Sequence, residues 1–309
     1  IPEADLYHTI STGYSGLFAA VAKIVLKKPV ILTEHGLYNK EREIDIKRAT
    51  WVHGYQRDLW IKIFNDLSTI TYDYADLTIS LFEHNRNIQI NQGAKRERTM
   101  VIPNGIDTER FLDLKQETKD EFSVGIVARV VPIKDIKNFI IAAKIIAEKI
   151  ERVKFYIIGP KDEDEEYQEE CFQLVSNFKL DEKIEFTGKQ DVRKYYSFID
   201  VLVLSSIREA QPLVILEAYC AGLPCVSTRV GNVAEMLDYD ENLLADPKDS
   251  EKLAKCVIKL YEDKPYYNRL VKKNREKVLN FYNKKDLIKK YNDIYNEYID
   301  KSITQGAEK

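Results

Sequence analysis

Two carboxylates, Glu209 and Glu217, stand with seven residues between them in the stretch 205–222, SSIREAQPLVILEAYCAG. The apolar run VLVL at 201–204 precedes them and reads as a buried parallel strand. Pro212 fits the first position of the helix that follows, and GLP at 222–224 stops that helix. Glu209 then belongs to a strand-to-helix loop and Glu217 to the helix itself. In open parallel sheets, ligands bind at the carboxyl ends of strands, beside helix N-termini. Carboxylates placed there accept hydrogen bonds from sugar or ribose hydroxyls, while free backbone amides meet phosphate oxygens. A solvated helix position and a plain loop charge fit the same two acids, and this stretch alone leaves both readings open.

Other chemistry-bearing side chains also fall at strand ends. Arg129 and Lys134 follow the first strand of the second half of the chain, five residues apart across a strand-loop-helix boundary. Two cations so placed suit a diphosphate, Arg as a planar fork and Lys as a point charge. Solvent-facing cations are the plainer alternative. His35 ends the strand 29–33, PVILT, and puts a titratable imidazole at its carboxyl end. Tyr38, Lys40 and Arg42 form a polar cluster just after it, suited to a sugar acceptor or to a solvated helix start. Gly13 and Gly16 precede a helix in STGYSG and are small enough to let a phosphate or sugar approach it. That loop is not G-x-G-x-x-G and is weak evidence by itself. Trp51, Tyr55, Leu59, Trp60 and Ile63 form an apolar stripe that reads as core rather than as a stacking platform. The triplets at 162–164 (DED) and 238–240 (DYD) read as solvated loops, so no metal site is expected.

Strand and helix signals alternate along the chain, which argues for α/β architecture with parallel sheets. The polar segment 108–121 reads as a connection between two domains. The last helix, 285–301, carries Leu287, Ile288, Tyr291, Ile294, Tyr295 and Tyr298 at helical spacing and needs a partner surface. At 309 residues there is room for two cores. A net charge of -3, with acidic and basic residues mixed, gives no hint of nucleic acid as a partner. Four cysteines without a C-x-x-C pair suggest a reducing, cytoplasmic setting. No apolar run reaches the roughly 20 residues of a membrane helix. The chain opens on IPEAD, close to a strand end, from which a missing N-terminal portion is expected.

With these residues in view the chain resembles the GT4 retaining glycosyltransferases of GT-B fold. ARVVPIK (128–134) resembles their diphosphate segment, EAQPLVILE (209–217) their E-x7-E motif and IPNGID (102–107) their interdomain segment. YHTISTGYSG (7–16), LTEHGLYNKERE (32–43) and the Gln211-Pro212 pair are similar to the PelF subgroup of Pel exopolysaccharide synthesis. Ala210 departs from the more usual Gly after the first Glu, and the family's earliest strands are absent.

The resemblance implies two Rossmann-like domains. Residues 1–115 would be a partial acceptor-side domain and 116–280 the nucleotide-sugar domain, with 281–309 a helix packing back on the first. A UDP-sugar would be the donor substrate, with no cofactor and no metal. Glu217 would hold the ribose, Glu209 the transferred sugar, and Arg129 and Lys134 the diphosphate. Gln211 and the amides of Leu213 and Val214 would complete the donor site. His35 would reach the sugar or phosphate when the cleft closes, making His35, Glu209, Arg129 and Lys134 the catalytic set. Gly13, Gly16, Tyr38, Lys40 and Arg42 would lie on the acceptor side. The implied activity moves a hexose, glucose by analogy, to a glycan acceptor, in company with a membrane-associated polysaccharide synthesis complex. A UDP-sugar-binding or assembly module without turnover, and a nucleotide-sugar epimerase, are the competing readings.

Overall fold

Short apolar runs make the strands and longer amphipathic runs the helices. In chain order the first elements are β1 (Tyr7–Thr9), α1 (Tyr14–Leu26), β2 (Val30–Glu34), α2 (Tyr38–Arg48), α3 (Tyr55–Tyr74), β3 (Leu77–Ser80), α4 (Glu83–Asn91) and β4 (Thr99–Val101). Then follow α5 (Glu109–Leu112), β5 (Phe122–Val127), α6 (Ile136–Lys149), β6 (Val153–Ile158), α7 (Glu165–Asn177), β7 (Ile184–Gly188), α8 (Val192–Tyr196), β8 (Val201–Leu204) and α9 (Leu213–Cys220). The chain finishes with β9 (Cys225–Thr228), α10 (Val233–Met236), β10 (Leu244–Ala245), α11 (Ser250–Glu262), α12 (Lys264–Phe281) and α13 (Lys284–Ala307). The structure, a computed structural model, describes residues 1–114, 117 and 120–307.

Two compact units result, Ile1–Asn104 with Lys285–Lys309, and Gly105–Lys284. The boundary expected at 115/116 lies outside the described residues, as does part of the connection read over 108–121. Within that connection α5 forms, and its Phe111 is buried in the core of the second unit.

The first unit holds a parallel sheet in the order β1-β2-β3-β4. Because side chains alternate across a strand, Ile31, Leu77 and Ile79 share one face and Leu32 takes the other. The first face packs on Ile294, with Leu287, Tyr291, Tyr295 and Tyr298 of α13 around it. Leu32 packs with Tyr72, Ala75 and Ala94. In α1 the buried residues are small, Gly16, Ala19, Ala20 and Ala22, while Phe18, Ile24 and Val25 are exposed.

The apolar stripe from Trp51 to Ile63 is not core. Trp51 is 78% exposed and Tyr55 75%, and Leu59 and Trp60 are exposed as well. The buried residues of α3 are Leu67, Ser68, Thr71 and Tyr72, all in its C-terminal half. Helical periodicity alone does not say whether a second layer covers the apolar face, and among the described residues Tyr55, Leu59 and Trp60 in the first half of α3 stay exposed.

The second unit holds a six-stranded sheet in the order β10-β9-β8-β5-β6-β7, with every pairing parallel. Its core includes Val124, Ile126, Phe155, Val201, Val203, Ile215 and Leu216. From β5 the chain builds outward through β6 and β7, then returns to β5's other side with β8 and continues outward to β10. The order reverses between β5 and β8, where Val124 pairs with Val201 and Gly125 with Leu202. Such a reversal opens a crevice at the carboxyl ends of the two strands.

Candidate functional site

The loops that leave β5 and β8 at this reversal carry the predicted cations and acids. They are tied together by their backbones. Ile207 N donates to Ile133 O at 2.9 Å, and the Ser205 hydroxyl donates to Lys134 O at 2.8 Å. Across this seam Lys134 Nζ meets Glu209 Oε1 at 2.5 Å. Both side chains are largely shielded, 22% and 14% exposed. The Ser206 hydroxyl donates to the same Oε1 at 2.7 Å. Among the described residues both contacts of Glu209 fall on Oε1, which leaves Oε2 able to accept from a hydroxyl. Asn232 N donates to Ala210 O at 3.0 Å and fixes the loop from its far side.

Arg129 lies at the end of β5 but turns to Glu163, 2.6 Å away, in a pair that is half exposed on both sides. Exposed pairs contribute only ~0–1 kcal/mol, so Glu163 is a weak competitor for a diphosphate. The acidic triplets have structural partners. Asp164 caps α7 by accepting from Tyr167 N, Asp238 pairs with Lys273 and Lys277, and Asp240 accepts from Tyr266.

Pro212 is the N-cap residue of α9, with extended backbone, and not its first helical residue. Proline's fixed φ suits either position, and the helical hydrogen-bond pattern begins at Leu213. Among the described residues no side chain caps this helix start, which presents the Leu213 and Val214 amides there. Gln211, just before, is buried. Glu217 sits one turn in, and burial pushes its carboxyl above the ordinary range, against the opposing pull of the Arg110 guanidinium and a hydrogen bond from Tyr196. Arg110, Tyr196 and Ser206 were not singled out by the sequence. Arg110 lies in α5, within the stretch that reads as a polar connection, and Tyr196 in a short helix remote in sequence, so only the fold reveals their proximity.

The first unit presents its predicted residues at the carboxyl end of β2. His35 is exposed directly after that strand. Burial, and then the neighbouring His35, hold the His8 imidazole below its ordinary value. His8 also contacts Thr33 Oγ1 at 2.9 Å and Tyr295 Oη at 2.7 Å. Lys40 pairs with Glu43, and Arg42 pairs with Asp45 while its guanidinium lies 5.5 Å from the Tyr38 ring centroid.

Gly13 and Gly16 leave no room for a side chain of their own. The Tyr38 ring fills the space beside Gly13, and Thr71 with the Ser11 carbonyl fills that beside Gly16. Their smallness serves internal packing of α1.

Glu34 is not among the predicted site residues, although a lone acid closing the apolar run VILT is a visible signal. It is 1% exposed. It accepts from the Thr12 hydroxyl at 3.2 Å, Tyr38 N at 3.0 Å, the Tyr72 hydroxyl at 2.7 Å and Gln89 Nε2 at 2.8 Å. Burial raises its carboxyl above the ordinary range despite these four donors.

N-acetyl-alpha-D-glucosaminyl L-malate synthase of Bacillus anthracis is 25% identical over 233 residues, 74% of this chain and 58% of that protein. UDP-Gal:alpha-D-GlcNAc-diphosphoundecaprenol alpha-1,3-galactosyltransferase of Escherichia coli is 27% identical over 316 residues, 97% of this chain and 76% of that protein. The chain thus spans little more than half the length of the first of these relatives.

Among solved structures, Anabaena HepE in complex with UDP superposes with a TM-score of 0.78 at 19% identity, covering 96% of this chain and 79% of that one. Sucrose-phosphate synthase of Thermosynechococcus elongatus gives 0.74 at 21% identity, covering 95% and 73%. At such identities the likeness carries the fold, which is α/β of GT-B type with two parallel sheets. Residues 1–97 match a domain of unknown function, DUF3492. Residues 107–277, the larger part of the chain and the part that bears Lys134, Glu209 and Glu217, match glycosyl transferases group 1, and the chain belongs to that family.

Proposed function

We propose that the protein is a retaining hexosyltransferase that binds a UDP-sugar through its second unit and passes the sugar to a glycan acceptor. The observation that carries this reading is the Lys134–Glu209 pair at the β5/β8 strand reversal, beside the uncapped start of α9. Breaking the sugar–phosphate bond builds negative charge on the diphosphate and positive character on the anomeric carbon. Lys134 and the Leu213 and Val214 amides are fixed donors suited to the first charge, joined by Arg129 once it leaves Glu163. Glu209, through Oε2, accepts from hydroxyls of the transferred sugar, and Glu217 from the ribose. Gln211 lies between them in sequence. His35 is assigned to the sugar on resemblance, as are Tyr38, Lys40 and Arg42 to the acceptor.

The donor assignment is supported further by neighbours of the same fold: HepE is solved with UDP, with UDP and glucose, and with UDP-glucose. On that analogy glucose is the donor sugar. The PelF-like segments 7–16 and 32–43 support exopolysaccharide synthesis, in the cytoplasm and in contact with a membrane-bound assembly, as the setting. Among the described residues no helix is long and apolar enough to cross a membrane. The reaction needs no metal in this reading.

The test is turnover. The purified chain is incubated with UDP-glucose, UDP-galactose and UDP-N-acetylglucosamine and a glycan acceptor, with and without EDTA. Released UDP and the anomeric configuration of the product are then read by NMR. Transfer with retention, unaffected by EDTA, is expected. Tight UDP binding with no transfer from any donor favours a binding module instead, and isomerised sugar without acceptor favours an epimerase.

A further inference from the structure

The uncovered half of α3 forms one wall of a cavity of about 420 Å³ within the first unit. Trp51, Trp60, Phe64 and Tyr14 line it together with Arg42 and Asp45. The aromatic wall is ordered. Trp60 stacks on Phe64 with ring centroids 6.1 Å apart and planes at 28°, and Tyr14 and Tyr38 meet Phe64 edge-on at 6.3 and 5.8 Å. Arg42 and Asp45 pair at 2.6 Å. Arg42 Nε is shielded from solvent and, among the described residues, has no hydrogen-bond partner.

These features select a ligand. An apolar patch of large aromatics left uncovered marks a binding surface more often than a scattering of single exposed residues does. Flat rings of this kind suit the C–H face of a pyranose, which is apolar and rigid. A shielded donor without a partner costs free energy until an acceptor reaches it. An alkyl chain offers no acceptor, whereas a sugar hydroxyl or ring oxygen does. Asp45 adds an acceptor for hydroxyl protons, and the neutralised Arg–Asp pair selects for no net charge.

We propose that this cavity is a subsite for a neutral hexose unit of a glycan, stacked on Trp51 and Trp60 and hydrogen-bonded to Arg42 and Asp45. The subsite rests on the glycan-acceptor reading for its purpose but not for its existence, since binding is measurable without a donor.

The chain has only two tryptophans, and both line this cavity. Intrinsic tryptophan emission therefore reports on it directly. Neutral tetrasaccharides of glucose, galactose and N-acetylglucosamine are titrated into the full chain, with n-decanol as the apolar counter-probe. A saturable change with at least one tetrasaccharide is expected. Trp51→Ala and Arg42→Met are each expected to bind about tenfold more weakly, followed by saturation-transfer NMR on the sugar where the emission signal is lost. Trp51 is so exposed that its removal costs the fold little, and circular dichroism verifies this. UDP affinity, read by calorimetry in Trp51→Ala, is expected to match wild type. Failure of UDP to bind wild type would overturn the donor reading and leave the subsite result standing. No response to any tetrasaccharide, or a response to decanol alone, would overturn the subsite.

Discussion

Glu34 and Glu217 are both shielded carboxylates held above the ordinary range by burial, yet they occupy opposite chemical situations. A carboxylate has about four acceptor sites, and Glu34 meets four donors drawn from the loop before α1, the start of α2, α3 and α4. Nothing is left for a ligand, so Glu34 is a fastener that positions the segment bearing His35 and Tyr38. Glu217 accepts from Tyr196 and lies in the field of Arg110, with no further donor to it among the described residues. Burial alone does not set the two acids apart; the donors around each of them do.

Variants of these two acids and of their neighbours separate the two situations. Glu34→Ala is expected to have the largest effect, because each stranded buried donor costs ~1–3 kcal/mol. Urea unfolding should show a loss on the order of 3 kcal/mol or more from the first unit, with UDP affinity of the second unit retained. Glu34→Gln separates charge from shape. A carboxyl whose folded-state pKa is raised binds protons more readily folded than unfolded. Its contribution to stability is therefore present below the unfolded pKa and lost as pH rises through the folded one. The Gln variant should lack that decline.

For Glu217 the expectation falls on binding rather than folding. Charge-assisted hydrogen bonds contribute ~1.5–3 kcal/mol, so Glu217→Ala should weaken UDP by about ten- to a hundredfold. Because its carboxyl protonates more readily than an ordinary one, wild-type UDP affinity should fall on mild acidification, and Glu217→Gln should remove that component. Glu209→Gln should reduce turnover more than UDP affinity, since the sugar and not the nucleotide is its assigned partner. His35→Ala should likewise lower turnover and spare UDP. The smallest effect on stability belongs to the exposed Arg129–Glu163 pair. Glu163→Ala should leave stability within ~0.5 kcal/mol and UDP binding equal or tighter, while Arg129→Ala weakens UDP.

How much of this was legible beforehand follows the distance between partners in the chain. The strand 201–204, the loop with Glu209 and the helix with Glu217 are contiguous, and their pattern is local, so they read correctly apart from a one-residue shift at Pro212. Lys134 and Glu209 could be matched only by assuming that their strands are neighbours, which the β5/β8 pairing satisfies. The pairing of Arg129 with Glu163, the field of Arg110 on Glu217 and the four donors on Glu34 join residues from separate elements. No spacing encodes them. The stripe from Trp51 to Ile63 misled because periodicity reports an apolar face without reporting what covers it. At Gly13 and Gly16 the space that a side chain would take is filled by Tyr38 and Thr71, contacts that small residues before a helix do not announce.

Holding the diphosphate of a nucleotide sugar is the role proposed for the strand reversal of the second unit, with Lys134 at its seam. Calorimetric titration of UDP into wild type and Lys134→Met tests it most directly, with thermal unfolding as the check that the variant is folded. Micromolar-range UDP binding that falls at least tenfold in the folded variant is the predicted result. Equal affinity in the two proteins, or no UDP binding to wild type, would contradict it.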